Sequence, residues 1–196
     1  MLPEAVKDWG RRLFQPLVRF LVSHSIAPNL LTWSGLLLSA GGGGLLSRGF
    51  FRPAGLAVAL GGICDILDGE VARTSLKVTS FGQFIDSVVD RYSEFFLLLG
   101  AFLYYLVRAP GFALLTLLAM FGSLMVSYAR ARAEGIGAPC KIGVLDRPGR
   151  MTIIILGALS GAKYFPFFLW ALALLSHLTA IQRIIWVWKT VERQKI

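Results

Sequence analysis

Six apolar stretches, parted by short polar connections, leave this chain few ways to fold. They run over 30–46, 54–71, 81–107, 111–131, 147–163 and 165–188. A helix that crosses the hydrocarbon layer needs about 20 residues, with a range of roughly 17–25. The third, fourth and sixth stretches meet that length comfortably. The first and fifth are short, and the second carries Asp65, Asp68 and Glu70 near its C-terminal end. In lipid every backbone polar group must be satisfied within the segment, so long apolar runs become helices. The expected fold class is therefore all-α integral membrane, with six transmembrane helices. Composition agrees: 56% of residues are hydrophobic and 16% charged, where soluble domains carry about a quarter charged. A soluble fold and a disordered chain are both excluded. The expected organisation is one membrane domain over 1–196, with a juxtamembrane helix in 1–26 and the bundle in 27–190.

The N-terminal segment has a different pattern. Leu13, Phe14, Leu17, Val18 and Leu21 recur at helical spacing, with Arg12, Gln15 and Arg19 on the other side. This predicts an amphipathic interfacial helix with a basic face, preceding the spans. Pro16 falls inside it and marks a kink or a start.

The net charge is +9. No nucleic-acid-binding motif accompanies it, so the partner is the anionic membrane surface rather than nucleic acid. Six spans put both termini on one side. Lys7, Arg11, Arg12, Arg19, Arg73, Lys77, Arg130, Arg132, Lys141, Arg147, Arg150, Arg183, Lys189, Arg193 and Lys195 fall there. Only Arg48, Arg52, Arg108 and Lys163 fall on the other side, and Arg91 lies inside the third span. The positive-inside rule then predicts cytoplasmic termini in a cell-membrane protein, with the acidic cluster on the same side. Cys64 and Cys140 form no metal-binding pattern and read as free thiols on the reducing side. The run Gly41–Gly44 is suited to close helix packing.

The informative segment begins Asp65-Ile66-Leu67-Asp68-Gly69-Glu70-Val71-Ala72-Arg73 and continues, after eight residues, to Gly82, Asp86 and Asp90. Spacings of three and four place each aspartate pair on one helix face. The connection is short, so the two helices are expected as antiparallel neighbours with the four carboxylates converging. Carboxylates at membrane depth are costly and mark function. Four together repel unless cations neutralise them, and oxygen-only ligands select hard divalent ions, Mg²⁺ or Mn²⁺. Two such ions at the usual separation of about 3.5–4 Å suit phosphoryl transfer. Gly69, Ala72 and Gly82 leave room for a phosphorylated ligand to approach the backbone, and Arg73 supplies a phosphate-binding charge. A cation- or proton-coupled transporter is the alternative from another class, since it too uses intramembrane carboxylates.

The pattern D-x2-D-G-x2-A-R-x8-G-x3-D-x3-D, complete over 65–90, resembles the signature of the CDP-alcohol phosphotransferase family of membrane enzymes. The segment Pro28-Asn29-Leu30-Leu31-Thr32 is similar to the family's entry to its first span. The resemblance implies a homodimer and transfer of a phosphatidyl group from CDP-diacylglycerol to an alcohol, with release of CMP. It implies that Asp65 and Asp86 touch both metals and that Asp68 holds one. Asp90 would hold the other and act as general base. Pro28, Asn29, Leu30, Leu31, Gly69, Arg73 and Thr79 would bind the CDP-linked lipid.

Ser127, Arg130, Arg147, Arg150 and Arg183 make a second polar group, and clustered arginines suit a phosphorylated acceptor. The segments Ser127–Glu134 and Asp146–Arg150, with Gln182-Arg183, look like the phosphatidylinositol phosphate synthase branch, where inositol 1-phosphate is the acceptor. Glycerol 3-phosphate stays open as an alternative. His177 reads as a hydrogen-bonded packing residue. Arg91 and Glu94 have the spacing of an i,i+3 pair and receive no chemistry.

Overall fold

A computed structural model describes the backbone of residues 4–193 and the side chains of residues 14–192. The described residues form seven α-helices and no strand. They are α1 (Glu4–Ser23), α2 (Pro28–Ser47), α3 (Phe51–Thr74), α4 (Ser80–Arg108), α5 (Pro110–Gly135), α6 (Arg147–Ser160) and α7 (Phe165–Arg193). Three of these are long and apolar enough to cross a membrane: Pro28–Ser47, Pro110–Gly135 and Phe165–Glu192.

Helix ends follow local chemistry. Proline stands in the first turn of α2, α5 and α6, where its missing N–H costs nothing. Thr79 caps α4 by accepting from the Gly82 N–H, and Asp146 caps α6 by accepting from the Gly149 N–H. The sequence pattern extends the fifth apolar stretch to residue 163, but α6 stops at Ser160 because Gly161 turns left-handed, with φ of 90°. Pro16 lies within α1 without ending it.

Packing contacts link the helices into a closed ring, in the order α2, α3, α6, α7, α5, α4 and back to α2. The sequence leads one to expect α3 and α4 as packed neighbours. Instead α2 packs along both of them, and glycine makes this possible. A Cβ on Gly100 of α4 would fall 2.0 Å from the Gly43 carbonyl oxygen of α2. Gly35 of α2 meets the Gly61 carbonyl of α3, where a Cβ would come within 3.2 Å. Of the run Gly41–Gly44, only Gly42 and Gly43 face neighbours, while Gly41 and Gly44 face open space. Side-chain packing at this separation is van der Waals contact between near-bare backbones.

The main apolar core, including Leu46, Phe51, Val58, Leu97, Leu98, Ile154 and Phe165, fills one end of the ring. The other end is polar. Against its outside lies α1, whose Phe14, Val18 and Leu21 pack on Leu67 and Val71 of α3. Leu17 and Phe20 of α1 stay exposed. Arg12 and Leu13 of the expected amphipathic pattern lie outside the residues whose side chains are described.

Candidate active site

Four helices build the polar end. Asp65 and Asp68 project from α3 one turn apart, and Asp86 and Asp90 from α4. Oxygen atoms of Asp65, Asp68 and Asp86 lie within 4.8 Å of one another. Asp65 stands about 14 Å along the helix axis from Thr74, and Asp90 about 15 Å from Ser80. The carboxylates thus sit well inside their helices rather than at the tips.

This depth explains α6. Its 14 residues cover only about 21 Å, short of a hydrocarbon layer of about 30 Å. The helix begins at the level of Asp65 and Asp90, where Arg147 meets both, and ends where Leu159 packs on Gly55 of α3. It therefore runs along α3 from Gly55 to Asp65.

Each carboxylate has its own surroundings. Asp68 is buried and accepts a 2.6 Å hydrogen bond from the Thr32 hydroxyl, which ties the start of α2 to the cluster. Arg147 Nη1 donates to Asp65 Oδ2 at 2.8 Å, and Nη2 lies 2.6 Å from Asp90 Oδ1. Arg91 stands 3.6 Å from the other Asp90 oxygen. A cavity of about 460 Å³ opens beside Asp65 and Arg147, bounded by Thr32, Ser39, Ser93 and Thr152 among apolar residues.

The donor set fits a hard divalent cation. Three carboxylates converge from two helices with oxygen ligands only, and their mutual repulsion is relieved by a bound cation. Asp90 stands outside that triplet and is engaged by arginine.

The residues expected around the CDP-linked lipid form a rim at the same end. Pro28, Asn29, Leu30 and Leu31 open α2, immediately before Thr32. Arg73 folds back over Gly69, where a Cβ would meet its guanidinium at 3.2 Å, and it pairs with Glu70 at 2.8 Å. Thr79 is exposed and caps α4.

The expected acceptor arginines divide into two kinds. Arg147 reaches the carboxylates, and Arg130 is half-exposed on α5, pairing with Glu134 at 2.9 Å. Arg150 and Arg183 are buried and spend their donors inside the protein. Arg150 donates to both oxygens of Glu94, at 2.8 and 2.9 Å, and to Ser127 at 3.3 Å. Glu94 also accepts from the Ser123 hydroxyl, so α4, α5 and α6 are tied across the interior of the ring. Glu94 therefore does not pair with Arg91, as i,i+3 spacing suggests; a partner in the core outweighs one at the surface. Arg183 donates to the carbonyls of Ile142 and Val126. With Thr179, which accepts from Leu145 N–H, and Gln182, which accepts from Val144 N–H, it holds the α5–α6 loop against α7. Gly143 in this loop has φ of 127°, and a Cβ there would strike Thr179. His177 donates to the Leu118 carbonyl at 3.1 Å, as a packing residue should.

The sequence reading gives no site role to Thr32, Glu94, Ser123 or Thr179, although it names the first two. Thr32 carried a signal, since it closes the entry segment of α2. The buried Glu94 carried one too, as an acid inside a long apolar stretch.

A helical membrane protein with clustered aspartates over 65–90 and a basic rim is the architecture of a lipid phosphotransferase, and comparison with known proteins agrees. The family profile for CDP-alcohol phosphatidyltransferases matches residues 25–191, so the chain belongs to that family. The archaetidylinositol phosphate synthase of Methanothermobacter thermautotrophicus is 36% identical over 190 residues, spanning 91% of this chain and 94% of its own. The solved structure of Mycobacterium tuberculosis phosphatidylinositol phosphate synthase with CDP-DAG bound superposes with a TM-score of 0.82 at 28% identity, covering 90% of this chain and 94% of that one. The same enzyme in complex with manganese and citrate gives a TM-score of 0.82 at 28% identity, covering 88% of each chain. Family membership decides between the enzyme and transporter readings in favour of the enzyme, and a divalent-metal cofactor accords with the carboxylate cluster.

Proposed function

We propose that this enzyme transfers a phosphatidyl group from CDP-diacylglycerol, or its ether-lipid counterpart, to inositol 1-phosphate, releasing CMP. The observation that carries the reading is the convergence of Asp65, Asp68 and Asp86 within 4.8 Å beside an Asp90 engaged by Arg147. The names of the similar enzymes supply the acceptor.

Asp65, Asp68, Asp86 and Asp90 would hold two divalent ions. When bound, these supply charge that neutralises the diphosphate and the departing CMP. Asp90 takes the proton of the acceptor hydroxyl. The hydroxyl oxygen then attacks the phosphorus joined to the lipid, and the phosphoanhydride bond to CMP breaks in line. Pro28, Asn29, Leu30 and Leu31 at the start of α2, with Gly69, Arg73 and Thr79, receive the CDP headgroup. Arg147, Arg130 and Ser127 face the acceptor phosphate. Arg150 and Arg183 act one step back, holding α6 and its preceding loop.

The membrane arrangement belongs to the same reading. α2–α7 form six membrane segments within one domain, with α1 along the interface. Exposed Leu17 and Phe20 on α1 support the latter. The concentration of Lys and Arg at the aspartate end supports cytoplasmic termini and a cytoplasmic-facing site.

The test uses purified protein in detergent with CDP-diacylglycerol and Mg²⁺. Inositol 1-phosphate, inositol, glycerol 3-phosphate and serine are supplied separately, and lipid products are identified by mass spectrometry. Phosphatidylinositol phosphate with stoichiometric CMP is the expected product. Product only from another acceptor would replace inositol phosphate and keep the chemistry, while no CMP with any acceptor or with the ether-linked donor would overturn the reading.

A further inference from the structure

Arg147 stands where a metal ligand set is being assembled. One of its nitrogens donates to Asp65 at 2.8 Å, and another lies in ion-pair contact 2.6 Å from Asp90 Oδ1, itself buried without a hydrogen bond. Its Nε is buried without a hydrogen-bond partner. The guanidinium thus bridges two of the four carboxylates, yet is left incompletely satisfied in a place where an unpaired donor is costly. It is also the first residue of α6 and borders the 460 Å³ cavity, so it has space to leave the carboxylates.

A guanidinium and a divalent ion at the same oxygens repel strongly at such distances. Asp65 Oδ2 and Asp90 Oδ1 would offer a metal their full charge only with the guanidinium gone. The backbone of α6 gives little freedom to retreat, because the Asp146 cap and the Arg150–Glu94 pair anchor its first turn. Only the Arg147 side chain is free to swing. The geometry points to Arg147 as a metal-displaced counter-charge: it neutralises Asp65 and Asp90 in the metal-free enzyme, and metal binding releases it onto the acceptor phosphate. The inference rests on the two-metal reading above. Its consequence is order: metal and phosphorylated acceptor bind with positive coupling, and the coupling is carried by one side chain.

The experiment is Mn²⁺ titration of the detergent-purified enzyme by electron paramagnetic resonance, paired with calorimetric binding of inositol 1-phosphate with and without Mn²⁺, all without CDP-lipid. Arg147→Gln should bind Mn²⁺ about tenfold more tightly than wild type, since the competitor is gone. Arg48→Gln, at the far end of the ring, serves as the control for net charge and should bind it as wild type does. Wild type should bind inositol 1-phosphate at least about fivefold more tightly with Mn²⁺, within the usual range of coupling between sites, and Arg147→Gln should lose that gain. Equal or weaker Mn²⁺ binding by Arg147→Gln overturns the inference while leaving the two-metal reading standing. Tighter Mn²⁺ binding with the coupling retained overturns the release onto the acceptor. No Mn²⁺ binding by wild type overturns both. If Arg147→Gln does not fold, Arg147→Met replaces it: an uncharged side chain of similar length also removes the competing charge, so Mn²⁺ binding should still tighten, and unchanged binding refutes the inference.

Discussion

Removing the Glu94 carboxylate should destabilise the whole bundle, and the size of the effect follows from its surroundings. The Arg150 and Glu94 side chains are 2% and 6% exposed. In Glu94→Ala, Arg150 keeps only its 3.3 Å bond to Ser127 and is left as a buried charge without a counter-ion. Breaking such a pair from one side costs about 3–5 kcal/mol. For a chain of this size, each kcal/mol lowers the melting temperature by roughly 2–4 °C. The expected fall is therefore about 6–20 °C. Cys140 is fully buried, so a thiol-reactive dye in a Cys64→Ser background reports unfolding directly. The reasoning makes a second demand. Replacing both partners, as in Glu94→Leu with Arg150→Met, removes the unpaired charge and should recover most of the loss. A drop below about 2 °C in Glu94→Ala would refute the claim that this pair ties the ring. A double variant as unstable as the single would refute unpaired charge as the cause.

Asp90→Asn should lower kcat by about 10²–10⁴-fold, the usual contribution of a general base, while CDP-lipid binding measured by calorimetry stays within a few fold. Chelation with EDTA should abolish CMP release, and Mg²⁺ or Mn²⁺ should restore it, with Ca²⁺ a poorer substitute because it accepts looser geometry. Gly100→Ala should cost at least about 1–3 kcal/mol through overpacking, because its Cβ would fall 2.0 Å from the Gly43 carbonyl oxygen and force α2 from α4; a melting temperature equal to wild type would contradict that crossing. Thr32→Val should weaken Mn²⁺ binding severalfold in a direct titration, since Asp68 loses the hydroxyl that orients it.

The helices were readable in the sequence because apolar length and charge are one-dimensional signals. Expected stretches and observed helices agree closely over 30–46 and 81–107, and diverge most at the C-terminal ends of α5 and α7, which run on to Gly135 and Arg193 past the apolar stretch, while Gly161 ends α6 early. The aspartate pairs were readable because their spacing is local. The arginines were not separable in this way. Arg147, Arg150 and Arg183 each read equally as flanking charge or phosphate ligand, and only the fold sends them to carboxylates, a buried acid and backbone carbonyls. Arg150 finds its partner 56 residues away, beyond any periodicity. The ring order was likewise hidden. A short loop between α3 and α4 suggests packed neighbours, but the glycines of α2 draw both helices onto itself.

These partners form a ladder that sets where the chemistry happens. Asp86, Asp90 and Glu94 recur every four residues and make one acidic stripe along α4. The lowest faces Asp65 and Asp68, the middle one meets Arg147, and the highest meets Arg150. Both helices climb in the same direction, so Arg147 and Arg150 match the upper two rungs in order. Sliding α6 by one turn would put Arg150 against Asp90 and leave Glu94 buried without a counter-ion, held only by the Ser123 hydroxyl, at about 3–5 kcal/mol. The buried pair thereby excludes the wrong register. Only the register it permits brings Arg147 to Asp65 and Asp90. The Glu94–Arg150 pair thus decides the depth at which Arg147 is presented.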